Sequence, residues 1–178
     1  MVAELLSVDS DPFSHQVLIN KGALDGVYNG QAVINDQGVI GQVLHVGSTT
    51  SRVLLITDSS HGIPVRVLRN DLRAIASGSG ELDKLELRNL PRNTDIQVGD
   101  LLVTSGLGGR FPEGYPVATV TRSEYVEGKP FAQVEAKPLV ELDRLRYLLL
   151  LWTDKKPEVH DEDGERAAPA ASAAGATR

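Results

Sequence analysis

Short runs of aliphatic and β-branched residues recur a dozen times along this chain, each cut off by a cluster of Gly, Pro, Asn or Asp. Apolar spacing at i, i+3 and i+4 is almost absent, so the pattern is that of strands rather than helices. The runs fall at 2–8, 15–20, 31–34, 38–46, 52–56, 63–69, 73–77, 82–88, 101–104, 116–126, 131–137 and 145–152. Several alternate with a period of two; Ile63, Val65 and Val67 share one face and Arg66 takes the other. A dozen short strands with turn residues between them predict an all-β fold, a barrel or a sandwich, and closed barrels would hide the strand edges. Only LVELDR at 139–144 suggests a helical turn, and 22–27 a tight turn.

The pattern stops near Thr153. The rest is the charged KKPEVHDEDGER followed by AAPAASAAGATR, which lacks the apolar content to pack. Residues 1–152 are therefore expected to fold, and 153–178 to form a disordered tail. Within the body, GQAVINDQGVIGQV from Gly30 and GDLLVTSGLGGRFPEGYPVATV from Gly99 share the order Gly, polar residue, strand, Gly-rich turn, strand. This echo suggests two similar β subdomains.

Composition narrows the chemistry. Lys and Arg number 18 against 24 Asp and Glu. Removing the four basic and six acidic residues of 153–178 leaves 14 and 18, a charge of −4 on the body. An acidic body has no electrostatic footprint for phosphate backbones, so nucleic-acid binding is not expected. The absence of cysteine excludes disulfides, a thiol nucleophile and Cys-based metal sites. Met1 is followed at once by VAELLSV with no basic segment, so no signal peptide is read here, and membrane attachment would lie outside this sequence.

Two enzymatic readings compete with a binding role. Ser105-Gly106, with His15, His45, His61 and His160 as possible bases, would serve a serine hydrolase, but no GxSxG marks a nucleophile. His45 has the strand parity of Val43 and is expected to be partly buried or at an edge; His61 is expected to end a loop, and His160 lies in the tail. Two of the many aspartates could pair as in a glycan hydrolase, but most flank strands, where carboxylates bond turn amides, and the chain is only 4% aromatic. TSGLGG lacks the GK[ST] ending of a phosphate loop, and Pro112 follows where a helix would begin, so a hairpin is expected. Neither HExxH nor a His cluster suggests a metal, and no cofactor is expected.

The stretches DPFSHQVLINKGALDGVYNGQAVINDQGVIGQV, SRVLLITDSSHGIPV and VGDLLVTSGLGGRFPEGYPVATV, which span most of 11–120, closely resemble the β domain of the MreC family. The order and spacing of KG, DGV, GQAV, GVIGQV, LLITD and TSGLGGRFPEGYPV carry the resemblance. It implies two small barrels of about six strands each, similar to chymotrypsin-like barrels but without proteolysis. It implies the periplasmic part of a single-pass inner-membrane protein whose membrane segment and coiled coil precede residue 1. It further implies a non-catalytic scaffold for cell elongation and rod shape, which binds an elongation-specific penicillin-binding transpeptidase, associates with itself and works with the MreD and MreB system. Partner-binding candidates are Phe131, on the strand face it shares with Gln133, Glu135 and Lys137, and Phe111 and Tyr115 in the Gly/Pro-rich loop.

Overall fold

A computed structural model describes residues 1–152 apart from Ser10, Asn89, Arg92 and Val126. The expected tail, 153–178, lies outside the described residues. Twelve strands occur, one in each predicted run: β1 (Val2–Val8), β2 (Gln16–Ile19), β3 (Ala32–Ile34), β4 (Val39–Val46), β5 (Ser51–Leu55), β6 (Gly62–Val67), β7 (Arg73–Gly78), β8 (Leu85–Leu87), β9 (Leu101–Thr104), β10 (Pro116–Tyr125), β11 (Ala132–Pro138) and β12 (Tyr147–Leu150). They close into two six-stranded barrels, β1-β12-β3-β4-β5-β2 and β10-β11-β8-β7-β6-β9, in which every named pairing is antiparallel. The all-β, two-barrel expectation is what the chain adopts. Closure removes the open edges that would otherwise invite pairing with other chains.

Alternation decides what faces inward. Ile63, Val65 and Val67 are fully buried while Pro64 and Arg66 between them are only partly so. Each aliphatic side chain removed from water contributes about 1.5–3 kcal/mol before chain entropy is counted. One continuous buried cluster, from Ala3 through Ile40, Ile56 and Leu102 to Leu150, runs through both barrels.

The two halves of the internal echo occupy equivalent hairpins, β3–β4 and β9–β10, and start with the same turn. The Gly30 amide donates to the Val43 carbonyl and the Val43 amide to Gln31; the Gly99 amide donates to Val120 and the Val120 amide to Asp100. The Gln31 and Asp100 side chains each accept the amide three residues earlier, that of Tyr28 and Gln97. Both glycines have φ near +90°, at 84° and 94°, which a residue with a β-carbon adopts only under strain.

The remaining differences from the sequence reading are local. The run at 82–88 shortens to Leu85–Leu87 because residues 79–84 fold into a turn, closed by the Ser79 hydroxyl donating to the Lys84 carbonyl at 2.6 Å. The 22–27 turn contains a single 3-10 turn, Ala23–Asp25, whose Asp25 carboxylate accepts the Gly22 amide. His45 is exposed rather than partly buried: the β4–β5 register shifts between Val43 and His45, so the parity that pointed it inward is broken.

Candidate functional site

The link between the barrels, residues 56–61, holds three buried polar residues, Thr57, Asp58 and His61, and bonds to two more, His15 and Gln42. β5 ends at Leu55 and β6 begins at Gly62, so this link must cross from one core to the other with its own polar groups satisfied. Asp58 does much of this. Its carboxylate accepts the His15 amide at 2.9 Å and both the amide and the hydroxyl of Ser60, at 2.9 and 2.7 Å. Burial alone would raise this carboxyl, but the Ser60 and His15 bonds outweigh it and hold it below its ordinary range. The His15 ring meets the Thr57 hydroxyl at 2.9 Å. On the other side the Gly78 amide donates to the His61 carbonyl and the Gly80 amide to Thr57.

His61 ends the link just before β6, as expected, and is buried there, at 5% exposure. Its Nε2 lies 2.9 Å from the Gln42 side-chain oxygen, which can only accept, so Nε2 carries the proton. Nδ1 is buried with no hydrogen-bond partner, and the Phe111 ring stands edge-on, its centroid 6.3 Å away. Burial, reinforced by the charge of Arg110 and opposed by Asp58, lowers its pKa to about 4. This imidazole is neutral near pH 7 and too weak a base to activate a hydroxyl there. The Ser105 hydroxyl accepts the Leu107 amide at 3.3 Å, so its hydrogen-bond partner among the described residues is backbone and not an imidazole. His160 lies outside the described residues.

The carboxylates follow the turn reading. Asp9, Asp11, Asp25, Asp58 and Asp100 each accept a backbone amide within three residues. One carboxylate pair, Asp95 and Asp100, is clamped by Arg69: its Nε and Nη2 donate to Asp100 at 3.0 Å, and Nη1 and Nη2 to Asp95 at 3.2 Å. Those bonds hold both carboxyls below their ordinary range. A glycan hydrolase needs one carboxyl raised so that it can donate a proton, and this clamp has the opposite effect. Among the described residues no three His, Asp or Glu gather as metal ligands, and no helix is long and apolar enough to cross a membrane.

The three partner-binding candidates have different surroundings. Phe131 is 48% exposed beside Pro91, with which it forms an isolated bridge just before β11. Tyr115 is half-buried against the core, its amide bonded to the Thr104 hydroxyl. Phe111 is 5% exposed, a plug against His61 that offers a partner little surface. Sequence reasoning passed over the apolar wall of the first barrel, where Val2, Leu6 and Tyr147 are each more than half exposed, and Phe13 in the β1–β2 connection, at 85%. The signal was present in VAELLSV, which is apolar at both parities and so cannot bury all of its side chains on one face.

Comparison with known proteins matches the whole of this body. The family signature described as rod shape-determining protein MreC, barrel core, covers residues 5–152. The cell shape-determining protein MreC of Escherichia coli is 57% identical over 152 residues, 85% of this chain but 41% of that protein, so the chain spans less than half the length of this relative. The crystal structure of MreC from Pseudomonas aeruginosa superposes with a TM-score of 0.82 at 52% identity, over 85% of this chain and 98% of that one. A chain from a complex between a penicillin-binding protein and MreC of Helicobacter pylori shares the fold, with a TM-score of 0.61 at 18% identity over 83% of this chain and 96% of that one. The two barrels and their link are the barrel core of a rod shape-determining protein, and the chain belongs to the MreC family.

Proposed function

We propose that this chain is a non-catalytic scaffold module of the cell-elongation machinery, on the periplasmic face of the inner membrane. It binds an elongation-specific penicillin-binding transpeptidase, associates with itself and acts alongside MreD and MreB. The observation that carries this reading is that the family match covers both barrels and their link, 5–152. The Helicobacter pylori relative, whose fold matches over the same region, is known in complex with a penicillin-binding protein. The chemistry of these groups supports a scaffold: His61 is neutral and enclosed, Ser105 is bonded to backbone, and the Asp95–Asp100 pair is held ionised by Arg69.

Two assays on the purified chain test the proposal. Titrated against the soluble transpeptidase ectodomain from the same organism in biolayer interferometry, it is expected to bind saturably. Incubated with peptide or peptidoglycan substrates, it is expected to release no product. Turnover abolished by Ser105→Ala would replace the scaffold with a serine hydrolase, and turnover lost only on an Asp→Asn change would replace it with a carboxylate-based glycan hydrolase.

A further inference from the structure

The two barrels carry their charge differently. Residues 59–138, which form the second barrel, hold ten basic and ten acidic residues. Subtracting these from the 14 and 18 of the body leaves four basic and eight acidic in the first barrel and its connections, which therefore carry the whole charge of −4. Among the described residues, every ion pair but one lies in the second barrel and its loops; the exception joins Arg144 to Glu141 before β12. The second barrel thus balances its charge, with seven of its ten carboxylates in these ion pairs, whereas the first keeps a net charge of −4.

The uncompensated charge coincides with exposed apolar surface. Val2 pairs with Leu149 and Glu4 with Tyr147 across β1 and β12, and Leu6 follows at a bulge in β1. Val2, Leu6 and Tyr147 are 56%, 51% and 58% exposed, with the exposed Glu4 among them. The β1–β2 connection adds the exposed Asp11 and the 85% exposed Phe13. Exposed apolar residues of the second barrel are scattered instead over separate elements, Ile75 on β7, Val98 and Leu107 in loops, Phe131 before β11. Isolated apolar side chains are ordinary surface, whereas adjoining exposed apolar side chains on one barrel wall are a recognition surface; here Glu4 and Asp11 accompany them, with the exposed cation Arg146 next to Tyr147, its carbonyl accepting the Leu5 amide.

We infer that the β1–β12 wall and the β1–β2 connection of the first barrel form the docking surface for a protein segment bearing apolar side chains together with lysine or arginine. Resting on the scaffold reading, this places that segment on the penicillin-binding transpeptidase. The net charge of −4 on this barrel disfavours an anionic lipid surface. Phe131, Tyr115 and Phe111, all in the second barrel, then lie away from the contact.

The test is biolayer interferometry of the purified chain against the transpeptidase ectodomain, with thermal melting of every variant. Leu6→Ser with Phe13→Ser removes apolar contact. Glu4→Gln with Asp11→Asn removes charge, and the asparagine keeps the side-chain oxygen that accepts the Phe13 amide. Phe131→Ala with Ile75→Ser alters the second barrel. The apolar pair is expected to weaken binding about tenfold or more. The charge pair should weaken it roughly threefold or more at low salt, a difference from the parent that closes near 0.5 M salt, and the second-barrel pair should bind like the parent. If the apolar pair melts early, the charge pair, which alters only exposed side chains, decides. Parent-like binding by both first-barrel variants, or loss confined to the second-barrel pair, overturns the inference and leaves the scaffold reading standing. A parent that does not bind the ectodomain overturns the scaffold reading and this inference with it. Retention on phosphatidylglycerol vesicles that is lost in the first-barrel variants would put a membrane on this wall and also overturn it.

Discussion

His61 shows how one side chain ties the barrels together and what that costs in acid. It is neutral and enclosed between Gln42 of the first barrel and Phe111 of the second. Its pKa falls from an ordinary 6.5 to about 4, so the unfolded chain takes up the proton more readily than the folded one. Stability is therefore fully present above pH 6.5 and declines as pH falls from 6.5 towards 4, by up to about 3 kcal/mol. Asp58, held below its ordinary 3.8, and Glu124, held below its ordinary 4.5 by Arg122, lose their contributions only at lower pH, so between pH 6.5 and about 5 the slope is set by His61. Denaturant midpoints at pH 7.5 and 4.5 should differ markedly in the parent and much less in His61→Gln; equal slopes would show that His61 is not buried neutral. This role could not be read from the sequence. ITDSSHG has the composition of an exposed turn, and only the packing of a second barrel against it encloses the ring.

Strands were the most legible elements, because alternation and the turn residues that interrupt it act over a few neighbours. All twelve runs became strands, and the echo between Gly30 and Gly99 became two hairpins with the same base. What escaped was the effect of register. The β4–β5 shift that exposes His45 depends on the partner strand, and so does the close approach of β7 to the link. At that approach a β-carbon on Gly78 would overlap the Asp58 carbonyl and the backbone of Thr57. Gly78→Ala should therefore cost on the order of 3 kcal/mol or more, since neither backbone can yield without breaking the Asp58 network. A denaturant midpoint unchanged by this single methyl would mean that the barrels are not packed this tightly.

At the scale of the molecule, the first barrel is closed by β12, which comes last in the chain and pairs with both β1 and β3. The second barrel is inserted between β5 and β12. The sequence shows two subdomains but not this interleaving, because nothing local in Tyr147–Leu150 says which strands it will join. The family match ends at residue 152, and the segment beyond it is charged or Ala-rich, so deleting 153–178 should leave the thermal midpoint nearly unchanged; a large drop would show that the segment packs on the barrels. Removing β12 as well should prevent folding of the first barrel, because its core would then open along β1 and β3. On the proposed reading this two-barrel body supports cell shape by binding and not by chemistry. It is tested most directly by replacing the matching region of the Escherichia coli relative with residues 1–152 carrying Ser105→Ala, as the only copy in the cell, and measuring cell length against width. Rods are expected; round cells that contain normal amounts of the folded chimera would contradict a binding role.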